Sequence, residues 1–195
     1  LDYVRYKEGL RVKLSSEKGT KFANAEELDD NWTNGQVLTD QILKQFPTER
    51  CMSFENIESA LNEHLLWHGS SKDAVDSIVD TDFKIPTESE VSGKRFGQGA
   101  YFAERFDKSL AYADAEPNGR RWVLLCRVAC GDYYYTQAEN PDAHVQCQQA
   151  GKDSVLANPD GKGPREFTIQ TPKAVYPEFC LEFAAEGEGE GEVGI

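Results

Sequence analysis

Residues 97–113, GQGAYFAERFDKSLAYA, constrain the fold of this chain more than any other stretch. Gly97, Gly99 and Ala100 run straight into Tyr101, Phe102 and Ala103. Glycine lets a backbone bend sharply or pass close to a ligand, so such a run suits a loop that meets a cleft. Beyond Tyr101 the apolar spacing changes to Phe106, Leu110 and Ala113, which predicts a helix, with Asp107 placed to cap its first turn. A strand edge here turns into a short helix with aromatic residues at both ends. Taken alone the stretch reads as core packing, so its neighbours decide its meaning.

Those neighbours supply strands. NEHLLWHGSS, residues 62–71, predicts a short apolar strand over Leu65–Trp67 running into His68 and Gly69. Ser70 and Asp73 are spaced as a capping pair for a helix whose inner face is Ala74, Val75, Ile78 and Val79. Residues 80–96 read as a polar loop containing Pro86 and Gly93. Arg121–Val128 has the composition of a buried strand, ended by Gly131 and followed by Tyr133, Tyr134 and Tyr135, which read as structural. Residues 136–163, rich in Asn, Asp, Gln, Gly and Pro, predict a long loop of the kind that is usually functional or mobile. Glu166–Gln170 and Glu178–Phe183 predict the last two strands.

Patterning before residue 62 is weaker. Tyr3, Val4 and Tyr6 suggest the start of a strand. Asn34–Phe46 predicts a helix with Val37, Leu38, Ile42 and Phe46 inward, stopped by Pro47, and Ser53–Asn62 a second short helix. Strands dominate the second half without strand–helix alternation, which predicts an α+β fold with mostly antiparallel sheets.

Composition narrows the functional classes. A chain of 195 residues is long enough for one domain with a substantial core. A net charge of −13 argues against broad binding to nucleic-acid phosphates. The acidic run from Glu186, EGEGEGEVGI, is expected to be a disordered tail. No apolar run is long enough to span a bilayer. Five cysteines form an odd set, unlike a disulfide framework. Cys126 and Cys130, four apart in a strand, lie roughly 13 Å from each other, beyond disulfide reach. No CxxC pair is present, so no structural zinc site is expected. Starting at Leu1 with no secretory signal pattern, the chain is expected to be part of a longer polypeptide in a reducing intracellular compartment, nucleus or cytoplasm.

Three motifs carry a family resemblance. HLLWHGS, then GQGAYFAERFDKSLAYA, then REFTIQTPKAVYPEFCLEF resemble, in order and internal spacing, the catalytic domain of the poly(ADP-ribose) polymerases. These belong to the diphtheria-toxin-like branch of the ADP-ribosyltransferases. The resemblance spans about residues 62–183 and implies the ADP-ribosyltransferase fold, with split, mostly antiparallel sheets flanked by short helices. It implies a catalytic core over 62–185, preceded by an extension, 1–61, with one or two helices packed on or part of the same domain, and followed by the tail, 186–195. The family's catalytic His, Tyr and Glu are matched by His68, Tyr101 and Glu166. The NAD-binding residues it implies are His68, Gly69, Ser70, Tyr101, Phe102, Ala103, Lys108, Ser109 and Tyr112, with Lys84 a weaker match at the pyrophosphate or adenosine end. NAD is the implied co-substrate, no metal is implied, and the implied partner is a protein acceptor, which can be the domain itself.

The chemistry explains why these residue types are wanted. ADP-ribosyl transfer breaks the bond between nicotinamide and its ribose through a transition state with oxocarbenium character. Two tyrosine rings can sandwich a flat nicotinamide while a serine hydroxyl and a glycine backbone read its carboxamide. A carboxylate fixed beside the ribose stabilises the developing positive charge. A histidine on the far ribose sets the distance between the two halves of NAD.

Each residue has a plainer reading on its own. His68 before a glycine reads as a strand-end turn, Glu166 beside Arg165 as a solvated surface charge, and Tyr112 as a core residue. Three separated motifs in family order are what outweigh them. The expected activity is ADP-ribosyl transfer, leaning to single or short units. Residues 136–163 carry Lys152 and Lys162 against Glu139, Asp142, Asp153 and Asp160, a poor cradle for a pyrophosphate acceptor. An inactive NAD- or ADP-ribose-binding module and an NAD glycohydrolase stand as alternatives.

Overall fold

Strand β1 (Glu63–Ser70) begins with four consecutive buried residues and ends in four half-buried ones, so it starts in the core and finishes at a cleft. The computed structural model describes residues 2–16, 21–28, 36–43, 45, 57–85 and 95–184. The other strands are β2 (Ala100–Ala103), β3 (Arg121–Ala129), β4 (Tyr133–Thr136), β5 (Ser154–Ala157), β6 (Glu166–Ile169) and β7 (Val175–Phe183). They form one sheet in the order β4-β5-β6-β2-β1-β3-β7, antiparallel except for the parallel β4–β5 pair. β1 runs alongside β3 for its whole length but meets β2 only at Trp67 opposite Ala103. The sheet is split at that point into two halves, and the C-terminal end of β1, His68 and Gly69, lines a cleft. This is the α+β architecture expected from the strand pattern.

The core explains the strand positions. Leu66, Phe102, Leu124, Leu156 and Phe167 are buried in one cluster that crosses the split. Phe96, Ala143, Cys147 and Val155 form a smaller cluster with Tyr101 packed against it. Pro177, which has no N–H to give a ladder, stands on the edge strand opposite Cys126, where the β3–β7 register shifts. The described cysteines are all thiols; Cys126, Cys130 and Cys147 are buried and Cys180 is exposed.

Several local expectations are corrected. Tyr3, Val4 and Tyr6 belong to a helix, α1 (Asp2–Ser16), rather than a strand. Its inner face, Tyr3, Tyr6, Leu10 and Leu14, has helical spacing and packs with Leu61 and Ala129. Buried Lys7 interrupts that apolar stripe but pairs with Glu63 at 2.8 Å, and Tyr3 donates to the same carboxylate at 2.6 Å. Residues 136–163 hold a helix, α6 (Ala143–Gln149), and strand β5, so they are not one loop. α6 buries only Ala143 and Cys147, and β5 is four residues long, too little apolar pattern for either to stand out.

Helix α2 (Ala25–Leu28) is a single turn, and α3 is Leu38–Leu43. Within α3, Ile42 faces solvent and not the core, whereas Val37 just before it is buried. Asn34, Phe46 and Pro47 lie outside the described residues, as do Ser53, Pro86, Gly93 and the tail from 186. The described end of the 53–62 segment is a 3-10 turn, Ser59–Leu61. Helix α4 (Lys72–Asp80) is capped by Ser71, whose side chain accepts the Ala74 N–H, not by Ser70. Helix α5 (Phe106–Leu110) has Arg105 at its N-cap and no side-chain cap; Asp107 stands inside the first turn and pairs with Arg105 at 2.6 Å.

Candidate active site

The cleft is built where β1 leaves β2. Trp67 turns its carbonyl outward to accept the Ser109 hydroxyl at 2.9 Å. Side chains alternate along a strand while backbone groups repeat every second residue, so Gly69 turns its own N–H and C=O toward the same side. Ser109, buried on α5, thereby stands over the end of β1 that β2 leaves unpaired, with its oxygen still able to accept. Only glycine fits at 69: a Cβ there would lie 1.8 Å from the Ser109 carbonyl oxygen.

Tyr101 organises the opposite wall. Its hydroxyl donates to the Gly97 carbonyl at 2.6 Å and accepts the Phe96 N–H at 3.1 Å, which leaves the ring face as its free surface. Burial raises its pKa above the ordinary phenol value, so it stays protonated. Gly97 holds a φ of 87° and a Cβ there would meet the His144 backbone at 2.6 Å, so helix α6 seats directly on this turn. Tyr112 faces the same cavity from the end of α5 and is 63% exposed.

His68 sits one residue before Gly69, between Phe83 and Phe102 at ring distances of 5.0 and 5.2 Å. Its Nδ1 lies 2.8 Å from the Tyr101 carbonyl oxygen, which can only accept. Nδ1 therefore carries the hydrogen, and Nε2 of the neutral ring is an acceptor. Burial pulls the His68 pKa below its ordinary value, favouring this neutral form.

Glu166 opens β6 opposite Ala103, the same residue that bridges β2 to β1. It is only 5% exposed. Lys108 Nζ stands 2.6 Å from its Oε1, yet that oxygen receives no hydrogen bond of acceptable angle. The contact is an ion pair off the hydrogen-bond line. A buried carboxylate thus lines the cavity with charge balance, one of its oxygens lacking an aligned donor.

All the expected residues except Ser70 and Lys84 line one cavity of about 220 Å³. Drug-sized ligands occupy about 300–1,000 Å³, so this space suits one flat ring of a dinucleotide rather than the whole. Ser70 ends β1 paired with Trp122 and does not reach the cavity; Lys84 is exposed and does not line it either. A wider groove of about 580 Å³ between α4 and β7 shares none of these residues; Glu178 there is tied to Arg127 at 3.0 Å.

Two features were missed in the sequence. Arg95 lines the cavity, 4.0 Å from Glu166 Oε1, and is held by Glu139 at 2.6 Å. A cation two residues ahead of Gly97 was the available signal. Arg165, to which the sequence reading gave no role beyond standing beside Glu166, is 0% exposed and paired with Glu104 at 3.0 Å. Nothing in the local pattern marks a buried arginine, because its partner is 61 residues away.

Comparison with known proteins bears on the same residues. Residues 25–182 match the family described as Poly(ADP-ribose) polymerase catalytic domain. The chain belongs to that family. The match reaches back well before the motifs, and its fold and enzyme class are those of an NAD-dependent ADP-ribosyltransferase domain. The chain is similar to Poly [ADP-ribose] polymerase 1 of Caenorhabditis elegans, 40% identical over 95 residues, which are 48% of this chain and 10% of that protein. It is 44% identical over 87 residues to Poly [ADP-ribose] polymerase 2 of Zea mays, covering 44% of this chain and 13% of the relative. A Poly [ADP-ribose] polymerase of Sarcophaga peregrina is 32% identical over 141 residues, 68% of this chain and 14% of its own length. The chain thus spans a small part of each relative's length.

Proposed function

We propose that this poly(ADP-ribose) polymerase catalytic domain is active and transfers ADP-ribose from NAD to protein acceptors with release of nicotinamide. The observation that carries this reading is the Glu166 carboxylate, buried, lining the cavity and balanced by Lys108, with its Oε1 lacking an aligned donor. A ribose hydroxyl is the donor that such an oxygen suits.

The other residues take roles by their geometry. Nicotinamide lies flat between the rings of Tyr101 and Tyr112, and its carboxamide meets the Gly69 backbone and the Ser109 oxygen. His68 Nε2 accepts from a hydroxyl of the adenosine-side ribose. When the bond between nicotinamide nitrogen and ribose carbon breaks, its electron pair leaves with nicotinamide, and positive charge develops on the sugar. Glu166 stabilises that charge, an interaction that strengthens only in the transition state. The acceptor nucleophile forms its bond to the same carbon and releases its proton to solvent. No metal ligand is needed for these steps, and NAD is the only co-substrate invoked.

Transfer of single or very short units is part of the proposal. In residues 136–163, Lys152 is paired with Asp132 at 2.8 Å, which removes half of the segment's positive charge from play. Arg95 is nearest the cavity mouth but is already neutralised by Glu139. A pyrophosphate-bearing acceptor therefore meets few free cations.

The experiment is incubation of the domain with labelled NAD, comparing the natural chain with Glu166→Gln. Label should pass to protein as short adducts, and the variant should turn over slower by orders of magnitude with similar NAD affinity. Near-normal turnover in the variant would remove Glu166 from its role. Free ADP-ribose as the sole product would mark a glycohydrolase, and long ladders would reject short-unit transfer.

A further inference from the structure

The β6 ladder ends at Glu166 on both sides. Ala103 on β2 and Ala157 on β5 pair with Glu166, and no pair extends to the residue before it. The carboxylate that faces the cavity is thus the terminal residue of its strand, where backbone pairing alone fixes position least. Beyond the ladder a side chain takes over. Glu104 follows Ala103 directly, and its Oε1 accepts the Arg165 backbone N–H at 3.0 Å. The same carboxylate binds the Arg165 guanidinium with both oxygens, at 3.1 Å from Nε and 3.0 Å from Nη2.

This pair is fully buried and reaches further. Glu104 Oε2 accepts the Leu38 N–H at 2.9 Å, and Arg165 Nη2 donates to the Gln36 carbonyl at 3.0 Å. The segment entering α3, the end of β2 and the start of β6 are joined through two side chains. Stability alone does not account for such a pair: removing two charges from water is expensive, and well-packed apolar residues in their place are often as stable or more so. What apolar residues cannot do is accept the Arg165 amide and fix the direction in which the chain enters Glu166.

We infer that Glu104 and Arg165 are positioning residues that set the placement of the Glu166 carboxylate in the cavity. The inference rests on the reading of Glu166 as the group that faces the ribose. Neither residue lines the cavity, so their effect on turnover passes through Glu166 and not through substrate contact.

The double variant Glu104→Leu/Arg165→Met separates positioning from stability. It should fold, with a lower thermal midpoint because the Arg165 and Leu38 N–H groups lose their acceptor, and bind benzamide, a flat aromatic amide, with unchanged affinity. Its kcat should fall tenfold or more while KM for NAD moves less than twofold. Arg165→Lys, which keeps the charge but not the two-pronged contact, should regain part of the turnover lost in Arg165→Met. If the double variant does not fold, Glu104→Gln, which keeps an acceptor for the Arg165 N–H but loses the ion pair, should show a smaller but measurable loss of kcat. Natural kcat in any folded variant that breaks the pair would overturn the inference, as would a kcat loss matched by an equal loss of benzamide affinity. Glu166→Gln is measured alongside. If that variant keeps its turnover, the role of Glu166 fails; if it is dead while the double variant is fully active, only the positioning pair fails.

Discussion

Lys108 Nζ lies 2.6 Å from Glu166 Oε1, with both side chains largely withdrawn from solvent. The lysine comes from α5, directly before Ser109, and the glutamate from the first residue of β6. The ion pair therefore fastens the helix that bears Ser109 to the strand that bears the carboxylate. Removing the cation leaves a buried anion with Arg95 as the nearest remaining positive group. Lys108→Met should lower unfolding free energy by about 1–3 kcal/mol, read from denaturant unfolding, while benzamide still binds. An unchanged midpoint would mean that the pair is solvent-screened and holds nothing.

Gly69→Ala tests the closeness of β1 to α5. The added Cβ would fall 1.8 Å from a backbone oxygen, which no side-chain rotation relieves. Overpacking of this kind costs about 1–3 kcal/mol, and here it also displaces Ser109. Thermal unfolding should show the loss, and calorimetric titration with benzamide should show affinity reduced at least tenfold. Retained affinity would place the amide site elsewhere.

Tyr112→Ala should behave in the opposite way. The ring is 63% exposed, so stability should change by no more than about 0.5 kcal/mol. Its stacking contribution to a flat ligand is about 1 kcal/mol, so benzamide should bind about fivefold more weakly. Equal affinity for the two proteins would show that the ligand stacks without Tyr112.

His68 provides a pH dependence. Its folded pKa is depressed by burial below the ordinary 6.5. In the unfolded chain it takes up a proton as pH falls through 6.5, whereas in the folded chain uptake waits for lower pH. The unfolded state then binds more protons, so the His68 contribution is full above that value and declines below it. Compared with His68→Gln over roughly pH 5 to 7.5, the natural chain should lose more unfolding free energy toward the acid end. Parallel curves for the two proteins would contradict this.

Legibility of the sequence varied with the range of the interactions. The strand bearing His68 and Gly69, the turn into Tyr101 and the strand starting at Glu166 are each local patterns of apolar residues and glycine, readable from short windows. Helix α1 was misread because its stripe is interrupted by Lys7, whose burial depends on Glu63 far along the chain. Helix α6 and strand β5 were passed over because their buried faces are small and short. Ser70 and Lys84 carried motif likeness but stand outside the cavity, since motif position says nothing about where a side chain ends.

The amino-acid order was enough for the fold class, the family and most of the residues that meet in the cleft, because these are encoded by local apolar patterns and by spacing within short motifs. The tertiary structure was needed for the rest: the single bridge between Trp67 and Ala103 that splits the sheet, the tautomer of His68, the Lys108 contact to Glu166 and the burial of Arg165. All four depend on partners brought together from distant parts of the chain. Charge burial in particular follows from what surrounds a residue in space, and Arg165 beside Glu166 in sequence looks like surface until Glu104 is seen to enclose it.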